Sequence, residues 1–322
     1  MYNALMEKDI QMYIREGVYE AERIKCLFFR GSNMKDIERN ISALNLLKEG
    51  EFSAAQTLFI ENMKLAPSYQ TYNNLGCFFL EFGRDRSDGK AVRAEKIGFR
   101  YLKKSLELCP NILAYRNLAY FGYELYYYEN GSLEEVEKYQ KEVLKLQCDN
   151  NDIYNYAVVL YELGKYDMGL DLLDKIVRSY SEAAFLYLLC LKKLSKLSLD
   201  AVDDYQEMIE NLELFSKQYI YYHCKDYARV VSITESFHSF GLAVDEESLA
   251  VYTDSLLKLS RASEIKNHID EICEKIAVER QDFIDLLNNE HKRKAYINRY
   301  DPKPTMEAVC GFYGCAMHNT AW

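Results

Sequence analysis

The chain has 322 residues, 49% hydrophobic and 28% charged, with a net charge of −10 and a pI of about 5.2. A phosphate-binding footprint needs clustered Lys and Arg, so this balance argues against nucleic acid as a partner. No stretch reaches the ~18 uncharged apolar residues of a membrane helix, and four prolines with 14 glycines are too few for most all-β or doubly wound chains. The start, Met1 to Asp9, has no basic segment followed by an apolar run, so no secretory signal is expected. Nine cysteines form an odd set, and the first seven fall inside apolar helical patterns as small buried hydrophobes. A reducing, cytoplasmic setting is the expectation.

Residues 1–35 read as capping helices, with Gly17-Val18-Tyr19-Glu20-Ala21 as a faint turn signal. From residue 36 a pattern recurs. Turn glycines stand at Gly50, Gly83, Gly131 and Gly164. Two of the three intervals are 33 residues, and the middle one is 48, with the charged stretch Arg84–Lys90 as the expected insertion. After Gly50 come Phe52, Ala55 and Phe59, then Pro67, which cannot continue a helix. Small Ala55 lets a partner helix approach, and Phe59 lies on the same face. Before the later turns the chain repeats a motif: Asn74-Leu75-Gly76, Asn117-Leu118-Ala119 and Asn155-Tyr156-Ala157. Pro67 and Pro110 close two of the units.

Spacing and motif together resemble the tetratricopeptide repeat, a helix–turn–helix unit of about 34 residues. The resemblance is strongest over roughly 36–180. It departs in lacking the family's Trp-type position, in Gly98 and Gly169 where alanine is usual, and in Cys148 at the last proline position. It implies an all-α chain of helical hairpins stacked in a right-handed superhelix. The expected division is 1–35 capping helices, 36–199 repeats, 200–300 divergent hairpins or cap, and 301–322 a non-helical tail. A degenerate fifth unit follows Ala183, and Asp245-Glu246-Glu247 opens a further helix. The basic run His291-Lys292-Arg293-Lys294 reads as the solvated C-terminal end of a helix.

Three constellations stand out. Asn74, Asn117 and Asn155 share one position in the repeat, and equivalent first-helix positions line the inner groove of a superhelix. A side-chain amide offers a donor and an acceptor, which can hold an extended peptide by its backbone. Asparagine rows in peptide-binding members of the family imply the same use. Tyr120, Tyr123 and Tyr161 would add aromatic walls. The first hairpin has Ile41 at the row position and is expected not to contribute. The acids Glu81, Glu124 and Glu162 are also in register and read as solvated helix ends.

The tail is the second constellation. Asp301-Pro302-Lys303-Pro304 stops the helical pattern, and beyond it lie Cys310, Gly311, Phe312, Gly314, Cys315, His318 and Trp322. Cys310, Cys315 and His318 could give three ligands to zinc, with a fourth from His291, His223 or the terminal carboxylate. A disulfide between the two cysteines would need an oxidising setting. The tail could instead be the substrate of a modifying or cleaving enzyme, with Cys310, Cys315 and Trp322 as its recognition elements. It could also lie in the chain's own groove, anchored by Trp322, until a partner peptide displaces it.

Third, catalytic signatures are missing from the sequence. There is no phosphate loop, His-Glu-x-x-His or nucleophile elbow, and His223 and His238 are lone residues. The expectation is a non-enzymatic scaffold for a peptide or protein segment, without a cofactor. The alternative is a carrier whose Cys-rich tail is modified, cleaved or recognised by an enzyme.

Overall fold

A computed structural model describes residues 34–83, 90–129, 131–146, 148–237, 244–259, 265, 267–299 and 301–315. Residues 1–33 of the expected capping segment 1–35, residues 84–89 of the expected insertion, His238, His318 and Trp322 lie outside the described residues. The described elements are all helical: α1 (Met34–Lys48), α2 (Phe52–Leu65), α3 (Tyr69–Phe82), α4 (Lys90–Leu108), α5 (Ile112–Glu129), α6 (Leu133–Leu146), α7 (Asn150–Glu162), α8 (Tyr166–Leu173), α9 (Ser181–Lys193), α10 (Leu199–Asp203), α11 (Gln206–Glu210), α12 (Leu214–His223), α13 (Tyr227–Phe237), α14 (Glu246–Lys258), α15 (Ile269–Ile276), α16 (Arg280–Asn288) and α17 (Glu290–Arg299). None is long and apolar enough to cross a membrane.

Packing divides the chain into two units. One comprises 1–159 with 306–322, and the other 160–305. In the first, α1 packs on α2, α3 on α4 and α5 on α6, the hairpins that the resemblance implies. Gly50 turns the first hairpin at φ +81°, a region where a Cβ is unfavourable. Much of the long middle interval is helix. Helices α4 and α5 extend to 19 and 18 residues, against 14 for α2 and α3, and absorb much of the extra length. Gly98, a departure from the family pattern, also has a reason. A Cβ there would fall 2.5 Å from Leu80 Cγ and 2.9 Å from the Gly76 carbonyl, so the α3–α4 pair packs backbone to backbone.

Local chemistry sets the helix starts. Pro67 ends the preceding segment, and Ser68 then caps α3. Its hydroxyl accepts from the Thr71 N–H at 3.2 Å while Thr71 Oγ1 accepts from the Ser68 N–H at 2.9 Å. Asp149 and Asp152 cap α7 reciprocally, at 3.0 and 3.1 Å.

The second unit has shorter helices. The degenerate fifth hairpin breaks after α9 into α10 and α11, five residues each. Asp245 caps α14 as expected, accepting from the Ser248 N–H at 2.7 Å. The basic run at 291–294 is not a helix end. It falls in the first turns of α17, and Arg293 is buried against Asp254 because its guanidinium satisfies that carboxylate inside the core. Among the described cysteines, Cys77, Cys109, Cys190 and Cys273 are buried as expected, but Cys224 is only half-buried and Cys148 is exposed. It stands in the connection between α6 and α7, outside either apolar face.

Candidate peptide groove

The first helix of each hairpin in the first unit, α1, α3 and α5, and the start of α7 each present an asparagine to one strip of space. Asn40, Asn74, Asn117 and Asn155 are all at least 96% buried. A buried amide needs partners on its donor and its acceptor. Here the partners come from the tail, which runs without helix or strand over 301–312 and turns at 313–314.

Two asparagines grip the tail backbone with both ends of the amide. Asn155 Nδ2 donates to the Glu307 carbonyl at 3.0 Å, and its Oδ1 accepts from the Glu307 N–H at 2.7 Å. Asn74 repeats the arrangement on Tyr313, at 3.0 and 2.7 Å. Between them, Asn117 Nδ2 donates to the Gly311 carbonyl at 3.0 Å. Asn73 donates to the same carbonyl at 2.7 Å, and the Cys77 thiol at 3.3 Å. At the far end Asn40 donates to the Tyr313 carbonyl at 2.8 Å. The amides also brace one another, Asn74 donating to Asn40 Oδ1 at 2.7 Å and Asn117 to Asn73 Oδ1 at 3.0 Å. Their orientations are therefore set across helices.

An ion pair fixes the register of α5 against α7. Arg116 Nε donates to Asp152 Oδ1 at 2.8 Å and its terminal nitrogen to Asp149 at 3.0 Å. Burial pushes the Asp152 carboxyl up, and Arg116 pulls the other way. Arg116 precedes Asn117, and Asp152 lies one turn before Asn155, so this pair places two of the gripping amides.

Tail side chains fill specific sites. Phe312 is buried and stacks on Phe59 of α2, with centroids 6.0 Å apart. The Tyr313 ring meets Tyr69 edge-on at 5.6 Å, and its hydroxyl donates to Asn111 Oδ1 at 3.0 Å. Burial holds that phenol well above its ordinary range. Gly311 passes so close to α3 and α5 that a Cβ would lie 2.1 Å from Asn117 Oδ1 and 2.7 Å from Cys77 Sγ. Cys315 is buried and Cys310 half-buried, both as thiols rather than a disulfide. Burial pushes the Cys310 thiol up to about 11 and Cys77 above its usual value. A cavity of about 700 Å³ remains beside the tail, lined by Leu44, Leu47, Glu81, Tyr120, Glu124 and Cys310 among others.

The asparagine row thus comes together on one segment, and it is longer than the motif shows. Asn40, which the 33-residue spacing passes over in favour of Ile41, belongs to the row. Ile41 is 43% exposed. The tyrosines separate. Tyr120 lines the cavity, whereas Tyr123 is buried against Tyr126 and Tyr127. Tyr161 falls in the second unit, against Tyr166. Glu81 and Glu124 border the cavity rather than only capping helix ends. Cys310 and Cys315 are neighbours, but no group of three metal-ligating side chains occurs among the described residues. His223 is in the second unit, its ring 4.5 Å from that of Tyr219.

No family model matches the sequence, and no curated protein matches it. Among solved structures, the chain is similar to a tetratricopeptide repeat protein from Parabacteroides merdae, at 15% identity over 79% of this chain and 98% of that one, with a TM-score of 0.50. It also matches the structure of Naa15/Naa10 bound to HypK-THB, at 13% identity over 83% of this chain and 41% of that one, TM-score 0.40. A third match is the TPR domain of P58(IPK), at 13% identity over 82% and 99%, TM-score 0.23. The first likeness shows the fold alone: an all-α chain of tetratricopeptide-like hairpins.

Proposed function

We propose that this chain is a non-catalytic binding scaffold whose asparagine-lined groove holds an extended peptide by its backbone. Its own C-terminal segment is the resident occupant, and a partner peptide displaces it. The observation that carries this reading is the pair of two-ended grips on Glu307 and Tyr313, six residues apart. An amide that merely fixed helix geometry would spend its donor and acceptor on neighbouring helices. Each such bond contributes roughly 0.5–1.5 kcal/mol net, so the row can hold a segment firmly and still release it. The all-α hairpin fold agrees with a scaffold.

The test replaces Asn74, Asn117 and Asn155 together by Ala in the full chain. Helical circular dichroism is expected to persist while protease cleavage within 306–315 accelerates at least about tenfold. Unchanged cleavage with the fold intact would overturn the reading. A second reading, the tail as an enzyme's substrate, is favoured by Cys310 standing at the open cavity while the backbone beside it is held. Intact mass of the protein expressed with its genomic neighbours tests it. An unmodified full-length tail would exclude it.

A further inference from the structure

The amides grip backbone and would accept almost any extended segment. Three neighbouring positions of the tail are held differently. At Gly311 the wall is formed by Asn117 Oδ1 and Cys77 Sγ, 2.1 and 2.7 Å from where a Cβ would stand. Real Cβ atoms do not come so near, so one wall would have to move. Asn117 cannot swing aside freely, because its Nδ2 is committed to Asn73 Oδ1 at 3.0 Å and to the Gly311 carbonyl itself. Cys77 is 1% exposed and bonded to the same carbonyl. At the next position a flat ring is required to face Phe59, which is 2% exposed and part of the hydrophobic core. At the third, a phenol of tyrosine length reaches Asn111 Oδ1, while its ring meets Tyr69. Asn111 is itself fixed, donating to the Cys109 carbonyl at 2.9 Å and accepting from the Ala114 N–H at 2.9 Å.

We infer that the groove is a sequence reader for glycine–aromatic–tyrosine, with Asn117 and Cys77 as the residues that select glycine, Phe59 the aromatic ring and Asn111 the tyrosine hydroxyl. This rests on the groove being a peptide site. It adds the chemical identity of the occupant: a peptide that replaces the tail presents the same three side chains in the same order. Specificity here comes mainly from exclusion, since the glycine wall rejects every residue with a Cβ, and rejection separates partners more sharply than added contact does.

The experiment uses the full chain. Gly311→Ala should expel the resident tail without touching the helices, so a fluorescent peptide of the wild-type sequence 306–322 gains access. It should bind the Gly311→Ala chain at least about tenfold tighter than the wild-type chain, whose tethered tail competes at high effective concentration. The same peptide carrying Gly311→Ala should bind at least about thirtyfold more weakly than its glycine parent. Widening the wall with Cys77→Ala and Asn117→Ser, in the Gly311→Ala chain, should bring the two peptides within about threefold of each other.

Equal binding of the glycine and alanine peptides to the Gly311→Ala chain would overturn the reader while leaving the backbone grip standing. So would a resident tail that stays protease-protected after Gly311→Ala. Release of the tail with no binding of either peptide would overturn the groove as a peptide site, and the reader with it.

Discussion

Both units bury polar side chains, but they satisfy them in different ways. In the second unit the partners are internal. Arg293 Nε donates to Asp254 Oδ1 at 3.0 Å, Tyr222 to Asp254 Oδ2 at 2.6 Å, and Gln218 to Thr234 at 2.6 Å. Thr253 and Ser255 donate back into their own helix, to Leu249 and Val251. In the first unit Asn40, Asn73, Asn74, Asn117 and Asn155 turn to a segment far away in sequence. Internal pairing makes a core that is complete without a ligand. Pairing to a tail makes a surface that is complete only when occupied, by the tail, by another peptide or by water.

The largest expected effect strikes the self-contained unit. Arg293→Met leaves Asp254 buried with Tyr222 and a longer bridge to Lys258 at 3.8 Å. Removing one member of a buried pair costs ~3–5 kcal/mol, here toward the lower end because those two partners remain. Denaturant unfolding should show that loss with the tail still protected. Simultaneous loss of tail protection would erase the distinction between the units.

The groove side is probed by thiol chemistry. With Cys310 pushed up to about 11 by burial, little of it is thiolate at pH 8. Freeing the tail by the triple asparagine substitution should speed its alkylation by roughly tens of fold, since the thiolate is the nucleophile. The sign for docking follows from linkage. The docked thiol has the higher pKa, so its contribution is full below the free thiol's pKa and fades as pH rises toward about 11. Tail protease protection should therefore weaken above pH ~9 and be insensitive to the cysteine below it. Protection that strengthens with alkaline pH would contradict this.

The smallest effect is Tyr313→Phe. It removes one hydrogen bond at the tail's third reading position, yet Asn111 Oδ1 keeps the Ala114 N–H. A loss of roughly 0.5–1 kcal/mol is expected in tail docking, read as a few-fold rise in tail proteolysis, with no change in helix unfolding.

Much of this architecture is legible in the amino-acid sequence. The turn glycines and the Asn-apolar-small motif disclose hairpins and place Asn74, Asn117 and Asn155 in one row, because stacked repeats convert sequence register into spatial register. Asn40 escapes for want of one residue. Counting back 33 from Asn74 reaches Ile41, and 34 reaches Asn40. Asn73 lies off the register and gains its role only where α3 and α5 converge on the Gly311 carbonyl. Phe59 and Cys77 read as core, which they are, and no periodicity reveals that their outer atoms also form a wall. Tyr123 packs on Tyr126 and Tyr127, and Tyr161 on Tyr166, a use that spacing does not distinguish from a groove wall, because aromatic residues suit packing and binding surfaces alike. The tail's destination is the least visible of all. Pairing between residues some 150 to 270 apart leaves no local pattern, only the change in composition after Pro304.

The central claim is that the tail backbone is held by side-chain amides. Amide hydrogen exchange of the full chain tests it most directly, since the Glu307 and Tyr313 N–H groups each donate to one asparagine oxygen. Those two amides are predicted to exchange at least about tenfold more slowly than an unbonded tail amide, with Asn155→Ala releasing Glu307 first and Asn74→Ala releasing Tyr313 first. Free exchange at both positions in the unmodified protein, or protection indifferent to both substitutions, would contradict the account.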